Sequence, residues 1–189
     1  DYNVTATFFL NKKLFQDEEN NAEIIQWMVD HGYDIGNHTM NHPMLSSCTA
    51  QEINDEVGQI YDILEGIIPG RYVNIVALPY GDPSDVKGDS KFDRLFNCEY
   101  NGRKYTTKAT LLCSWTREDS PFIKTFDNTY VKRIRAYDHD GTDFDIEMNF
   151  AQLNEGRRYI SDGNPDTIVI RKEDKDYLGE TYGKTVIEY

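Results

Sequence analysis

The sequence is poor in cysteine and in positive charge, and it has no long apolar run. Three cysteines, none in a Cys-x-x-Cys pair, are too few and too scattered for a disulfide framework, and the redox compartment stays open. No stretch approaches the roughly 20 apolar residues that a membrane span needs. The 20 basic residues face 33 acidic ones, and the net charge of -13 disfavours binding to nucleic acid or to an anionic membrane surface.

The chain is nevertheless rich enough in apolar and aromatic residues to fold. Its hydrophobic fraction is 39% and its aromatic fraction 13%, which is too aromatic for a disordered chain. At roughly 100–200 residues per domain, the length of 189 residues predicts one domain over residues 1–189. A chain of this size can bury about 70% of its extended surface, so it can form its own core.

Strand and helix patterns alternate over residues 1–80. Residues 4–10 are a β-branched and aromatic run typical of a buried strand, and residues 33–36 and 72–78 predict two more strands. One predicted helix ends at Gly32, and the next begins at Thr49 with the pattern of a capping box. This alternation predicts an α/β fold, with a parallel sheet or barrel and the helices outside it.

The patterns after residue 81 are weaker. They predict strands over residues 109–115, 130–136 and 167–170, and a helix over residues 144–153.

Two apolar sets are predicted to lie in the core because they follow strand and helix periods and carry no polar atoms. They are Phe8 and Phe9 in the first strand, and Ile60, Leu64 and Ile67 in the second long helix.

Two of the four histidines, His38 and His42, lie four residues apart, just after the predicted strand at residues 33–36. In a helical turn this spacing places both imidazoles on one side, within reach of one divalent cation at about 2.0–2.1 Å. Functional groups also gather at the carboxyl ends of strands in parallel α/β folds. The spacing alone leaves two interpretations open, a metal-ligand pair or two polar loop histidines.

Residues 32–43, Gly-Tyr-Asp-Ile-Gly-Asn-His-Thr-Met-Asn-His-Pro, closely resemble the second motif of the polysaccharide deacetylases, carbohydrate esterase family 4. That motif is His-(Ser or Thr)-x-x-His-Pro. Residues 2–9 are similar to the strand that the family places before it, and residues 78–81, Leu-Pro-Tyr-Gly, resemble the third motif, Arg-x-Pro-Tyr-Gly. The resemblance covers residues 1–85 and is diffuse beyond them.

The resemblance implies a deformed (β/α) barrel and a divalent metal, commonly zinc, held by one Asp and two His. The two imidazole ligands would be His38 and His42. The family's metal activates a water that attacks an N-acetyl carbonyl on a glycan, and a carboxylate acts as the base.

Further roles follow from the same resemblance. Thr39 would brace the loop between the histidines. The backbone N–H of Tyr80 would donate to the oxyanion, and Pro79 would fix its approach. Without the resemblance, residues 79–81 predict only a turn after a strand.

Three departures from the family pattern bear on activity. The first motif, Thr-Phe-Asp-Asp, which carries the base and the third ligand, is expected upstream of residue 1, so the chain is expected to be incomplete at its N-terminus. Ala77 replaces the arginine of the third motif, which holds the base. The late Leu-x-His, whose His is the general acid, has no clear equivalent, and His139 is predicted to be a solvated loop residue. We therefore expect residues 1–189 by themselves to bind metal weakly and to deacetylate poorly.

The leading hypothesis is metal-dependent hydrolysis of N-acetyl amide bonds on an extracellular or cell-wall polysaccharide. The alternatives are a catalytically impaired, glycan-binding relative, which Ala77 favours, and an α/β domain whose likeness is only structural. Trp115 is either a sugar-stacking residue or a core residue. The family's substrates predict a secreted or surface-attached bacterial protein. Loss of the first strand predicts self-association along the exposed edge of residues 4–10.

Overall fold

The computed structural model describes residues 5–13, 19–153 and 160–189. Val4 of the predicted first strand, and residues 2 and 3 of the family resemblance, lie outside the described residues. The chain divides into two compact units, the first made of the residues up to Cys113 with residues 128–130, and the second made of the rest. That the chain is a single deacetylase-like domain stays a prediction.

The first unit alternates strands and helices as the sequence predicts. Its described elements are β1 (Thr7–Leu10), α1 (Asn21–Asp30), β2 (Asp34–Asn37), α2 (Ala50–Ile67), β3 (Ile75–Ala77), α3 (Asp93–Phe96), β4 (Asn97–Tyr100), β5 (Arg103–Thr106) and β6 (Ala109–Leu111). Four strands form a parallel sheet in the order β1-β2-β3-β6. The predicted α/β class is confirmed.

Helix α2 supports this sheet and begins where the sequence predicts. The Thr49 hydroxyl accepts the Glu52 N–H at 3.3 Å, and the Glu52 carboxylate accepts the Thr49 N–H at 2.7 Å. Such a cap stabilises a helix by about 1 kcal/mol. The apolar face of α2 is fully buried and contributes to two core clusters; its members are Ile53, Val57, Ile60, Tyr61 and Leu64.

The core prediction for the first strand is wrong at Phe8, which is 43% exposed, whereas those for Ile60 and Leu64 are confirmed. Strand β1 lies at one end of the described sheet order, so Phe8 has a neighbouring strand on one side only. Its ring contacts Tyr33 edge to face at 5.6 Å between centroids. Phe9 and Ile67 are half-buried. The strand pairing is nonetheless parallel.

Strands β4 and β5 form an antiparallel hairpin that packs against α2. The sequence patterns above do not predict this hairpin. Its turn places Asn101 at φ 50° and Gly102 at φ 76°. This left-handed conformation is the reason that Asn-Gly is a common hairpin turn. The Asn54 side chain in α2 exchanges two hydrogen bonds with the backbone of Glu99, at 2.8 and 2.9 Å.

The second unit contains α4 (Ile146–Gln152), β7 (Thr167–Ile170) and β8 (Thr185–Glu188), and the two strands pair in parallel. The predicted strand over residues 167–170 is confirmed. The one predicted over residues 130–136 is wrong, because those residues, all described, form no strand. Backbone N–H groups in this segment donate to side chains instead of to a neighbouring strand. The Lys132 N–H, for example, donates to a Glu118 carboxylate oxygen at 2.8 Å. No helix in the described part of the chain is long and apolar enough to cross a membrane.

Candidate metal centre

The predicted site residues lie at the carboxyl ends of two neighbouring strands. Strands β2 and β3 pair in parallel, with Asn37 opposite Val76, so both end at the same edge of the sheet. His38 follows β2 directly, and its N–H donates to the Leu10 carbonyl at the end of β1, at 2.9 Å. The turn Pro79–Gly81 follows β3. Parallel pairing therefore brings together two segments that are distant in sequence.

Three aromatic rings meet at this edge. The His38 and His42 rings lie 4.6 Å apart between centroids, at an interplanar angle of 81°. The His42 and Tyr80 rings are also 4.6 Å apart, at 75°. Both imidazoles are half-buried, whereas Tyr80 is 66% exposed. The structure thus brings both predicted ligands together beside Tyr80, while their functional roles stay predictions.

The orientation of His38 is set by the backbone of the neighbouring strand. Its Nδ1 lies 2.7 Å from the carbonyl oxygen of Ala77. A carbonyl oxygen only accepts, so the proton is assigned to Nδ1 and the lone pair to Nε2. Metal-binding histidines commonly donate their other N–H to a carbonyl in this way, which orients the ring and fixes its tautomer.

The loop between the histidines is held by two fully buried polar side chains, Asn37 and Thr39. The Thr39 hydroxyl accepts the His42 N–H at 3.2 Å. The Asn37 side chain accepts the Thr39 N–H at 2.9 Å and donates to the carbonyl of Val57 in α2, also at 2.9 Å. Thr39 therefore contacts the backbone of His42, and its bracing role stays a prediction. Asn37 was missed, because the family motif leaves its position unspecified.

Glu56 of α2 also contacts the histidine loop, which the sequence does not predict. One of its carboxylate oxygens accepts the Asn41 N–H at 2.7 Å, and the other accepts the Asn41 side-chain N–H, also at 2.7 Å. Asn41 directly precedes His42. Nothing in the sequence separates Glu56 from Asp55 beside it, because only the packing of α2 against the sheet decides which carboxylate meets the loop.

Three residues of the site have a left-handed backbone that residues other than glycine rarely adopt. Thr39, His42 and Tyr80 have φ angles of 61°, 57° and 58°. Each such conformation costs about 1–3 kcal/mol and persists only where surrounding contacts hold it. In the turn after β3, Pro79 is buried and its carbonyl accepts the Asp82 N–H at 2.9 Å. The site is therefore a preorganised, strained arrangement.

The donor set fits one side of a divalent cation site. Two imidazoles, one with its tautomer assigned by a carbonyl contact, are the nitrogen ligands that zinc accepts. Catalytic zinc sites take three protein ligands. Within residues 5–13, 19–153 and 160–189, no group of three His, Cys, Asp or Glu side chains could hold a metal ion. His38 and His42 could therefore supply two ligands of such a site, and this assignment stays a prediction.

The remaining candidates lie in the second unit. Trp115 is 49% exposed rather than a core residue, and the Arg135 guanidinium lies 3.4 Å from its ring centroid. Its role in stacking on sugars stays a prediction. His139 is exposed in a loop, as predicted, and its Nδ1 lies 3.1 Å from an Asp143 carboxylate oxygen.

Comparison with known proteins agrees with the motifs. Residues 1–91 match the family model for polysaccharide deacetylase. This segment, just under half of the chain, is similar to the polysaccharide deacetylase family.

Curated relatives of this chain include two deacetylases. A chitooligosaccharide deacetylase from Bradyrhizobium sp. is 35% identical over 80 residues, which are 42% of this chain and 35% of the relative. The peptidoglycan-N-acetylmuramic acid deacetylase PdaA from Bacillus subtilis is 37% identical over 78 residues, which are 41% of this chain and 28% of the relative. The chain therefore spans only a part of the relatives that it matches.

A solved structure extends the likeness beyond residues 1–91. The Streptococcus pyogenes deacetylase PplD, determined in complex with acetate, superposes with a TM-score of 0.55 and 18% identity. The superposition covers 79% of this chain and 58% of that one. At this identity the likeness shows a shared fold, and the predicted deacetylase type of α/β fold is confirmed.

Proposed function

We propose that the protein hydrolyses N-acetyl groups of a polysaccharide, and that His38 and His42 hold a divalent cation, such as zinc, for this reaction. The observation that carries the proposal is the meeting of both imidazoles with Tyr80 at the carboxyl ends of β2 and β3. The family of residues 1–91 and the named activities of the relatives support the substrate class.

The chain's own residues would divide the work as follows. A bound divalent cation supplies Lewis acidity toward a water and the acetamide carbonyl. His38 binds it through Nε2, because Nδ1 donates to the Ala77 carbonyl. His42 provides the second nitrogen. Thr39 keeps His42 in place through the hydrogen bond that it accepts from the His42 N–H.

The turn after β3 would act on the developing negative charge. In this proposal the backbone N–H of Tyr80 donates to the acetamide oxygen as that oxygen becomes negative during attack. Pro79 restrains the backbone just before Tyr80, and the left-handed conformation of Tyr80 sets the direction of its amide. The exposed Tyr80 ring forms part of the rim that a glycan would meet.

Ala77 favours a second candidate, a glycan-binding protein that does not hydrolyse its ligand. Ala77 is fully buried and stands where the family has the arginine that holds the catalytic base. In this alternative the histidine loop contributes to carbohydrate binding, and Trp115 stacks on a pyranose ring.

The proposed substrate also suggests where the protein acts. Peptidoglycan and chitooligosaccharides, named for the relatives, favour action outside the cytoplasm, in a secreted or surface-attached bacterial protein.

We further propose that copies associate along the outer edge of β1, where Phe8 is exposed. Under this proposal Phe8→Lys lowers the sedimentation coefficient to that of a monomer, and a wild-type protein that is already monomeric contradicts it.

The proposed reaction is tested on the full-length protein, by acetate release from an N-acetylglucosamine oligomer in the presence of zinc. We expect His38→Ala and His42→Ala to reduce release to background, and a chelator to do the same. His139→Ala, at an exposed histidine of the second unit, is the matched control and should retain full release. Undiminished release by both site variants contradicts the proposal. Oligomer binding without any acetate release supports the glycan-binding candidate instead.

A further inference from the structure

Helix α2 holds the histidine loop at both ends. Near the start of the loop, the Asn37 side chain donates to the Val57 carbonyl at 2.9 Å. Further along, the Met40 N–H donates to the carbonyl of Glu56, also at 2.9 Å. Two consecutive residues of one helix therefore receive hydrogen bonds from the loop that carries His38 and His42.

The Glu56 side chain adds a bidentate contact to the same loop. Both carboxylate oxygens accept from Asn41, one from its backbone N–H and one from its side chain, each at 2.7 Å. Hydrogen bonds to an ionised carboxylate are roughly twice as strong as neutral ones, and a bidentate pair also fixes orientation. The next residue is His42, so this contact fixes the backbone from which one imidazole projects.

Asn37 connects the same helix to the turn between the histidines. Its side chain accepts the Thr39 N–H at 2.9 Å while it donates to Val57. Asn37 is fully buried, so removal of its amide leaves buried groups without a partner. The contact also supports Thr39 in its left-handed conformation, at φ 61°.

We infer that Asn37 and Glu56 are positioning residues, which hold His38 and His42 at the separation that one divalent cation requires. The inference depends on the proposed metal-dependent function. Neither residue binds the cation in this scheme, and both act through the histidines. Without these anchors the loop would relax from its left-handed conformations, and the separation of the two imidazoles would change.

The test compares Glu56→Gln with Asp55→Asn. Glu56→Gln keeps the size but turns one acceptor into a donor that faces an Asn41 N–H. Asp55→Asn removes a charge one residue away on α2, where the carboxylate contacts Gln51 and Asn54 instead of the loop. Zinc affinity is measured by calorimetry, folding by thermal unfolding, and ligand geometry by the visible spectrum of bound Co²⁺.

For Glu56→Gln we expect a zinc affinity lower by about 10–100-fold, the range for loss of a contact that orients a ligand. We also expect an altered Co²⁺ spectrum and a weaker nuclear Overhauser effect between the His38 and His42 ring protons. Asp55→Asn should match the wild type in all three. A merely structural role for Glu56 would lower the unfolding temperature and leave the spectrum of the folded protein unchanged.

Asn37→Asp is the second variant, because it keeps the size but places an oxygen against the Val57 carbonyl. If it does not fold, Glu56→Gln still decides the inference. Wild-type affinity, spectrum and ring contacts in Glu56→Gln overturn it. If the wild type and both histidine-to-alanine variants bind zinc equally, the proposed metal function fails. The ring-proton contacts, which need no metal, then still decide whether Glu56 positions the pair.

Discussion

The Nδ1–H of His38 donates a hydrogen bond of 2.7 Å to the carbonyl oxygen of Ala77, 39 residues away in the chain. The acceptor is a main-chain atom at the end of β3, so the orientation of His38 does not depend on the side chain at position 77. The resemblance implies that Ala77 replaces the family's arginine; this replacement would leave the imidazole oriented, although it would remove the side chain that holds the catalytic base in the family.

Substitution of Thr39 should separate the hydroxyl contact from the shape of the side chain. Thr39→Val keeps the shape but removes the acceptor for the His42 N–H. We expect the free energy of unfolding to fall by about 1–3 kcal/mol, the cost of an unsatisfied polar group. Thr39→Ser retains the hydroxyl and should lose only about 0.8 kcal/mol for one methyl group. Urea unfolding of both variants measures this, and equal stability of the two contradicts the role of the hydroxyl.

Two glycine-to-alanine changes should have opposite effects. A Cβ at Gly36 would lie 2.5 Å from Cε1 of Phe9 and 3.1 Å from Cγ2 of Val73, so Gly36→Ala should destabilise the fold by about 1–3 kcal/mol through overpacking. A Cβ at Gly66, in α2, would meet no atom within 4 Å, so Gly66→Ala should stabilise it by about 0.4–1 kcal/mol. Thermal unfolding decides, and destabilisation by both changes would show that α2 does not tolerate alanine.

Loss of the capping box should weaken α2. Thr49→Ala removes the side chain that accepts the Glu52 N–H, and we expect a loss of about 0.5–2 kcal/mol in the free energy of unfolding. The matched control is Ser47→Ala, which removes an exposed hydroxyl two residues earlier and should have little effect. Circular dichroism during urea unfolding follows both, and a control as unstable as Thr49→Ala would argue against the cap.

The acid stability of the first unit should depend on Asp62. A hydrogen bond of 2.7 Å from the Tyr105 hydroxyl is the main cause that lowers the pKa of the Asp62 carboxyl, and Asn101 and Arg103 contribute. Because the folded state binds this proton more weakly than the unfolded state, the stabilisation is present above the unfolded pKa of about 3.9. It is lost as pH falls through the folded pKa.

We therefore expect the unfolding temperature of Asp62→Asn to fall less steeply than that of the wild type as the pH is lowered below about 4. Asp93→Asn, which removes an exposed carboxylate elsewhere, should retain the wild-type slope. Parallel curves for the wild type and Asp62→Asn would contradict the assignment.

Local patterns determined the parts of the fold that the sequence predicts well. The alternation up to β3 and the cap at Thr49 follow from side-chain period and from contacts within one helical turn. The hairpin turn at Asn101 and Gly102 also carries a local signal that could have found β4 and β5. The strand predicted over residues 130–136 was wrong because no local pattern shows that the Arg133 N–H binds the Ser114 hydroxyl instead of a strand.

In the candidate site, too, some features follow from local sequence and others only from tertiary contacts. The sequence by itself determined which residues are the candidates for the chemistry, since the spacing of His38 and His42 and the turn at Tyr80 are local features. Only the tertiary structure decided that the Ala77 carbonyl orients His38 and that Glu56, rather than Asp55, holds the loop. The physical reason is that these contacts depend on the parallel register of β2 and β3 and on the rotation of α2 against the sheet. Burial of the whole apolar face of α2 sets that rotation, and no short stretch of sequence encodes it.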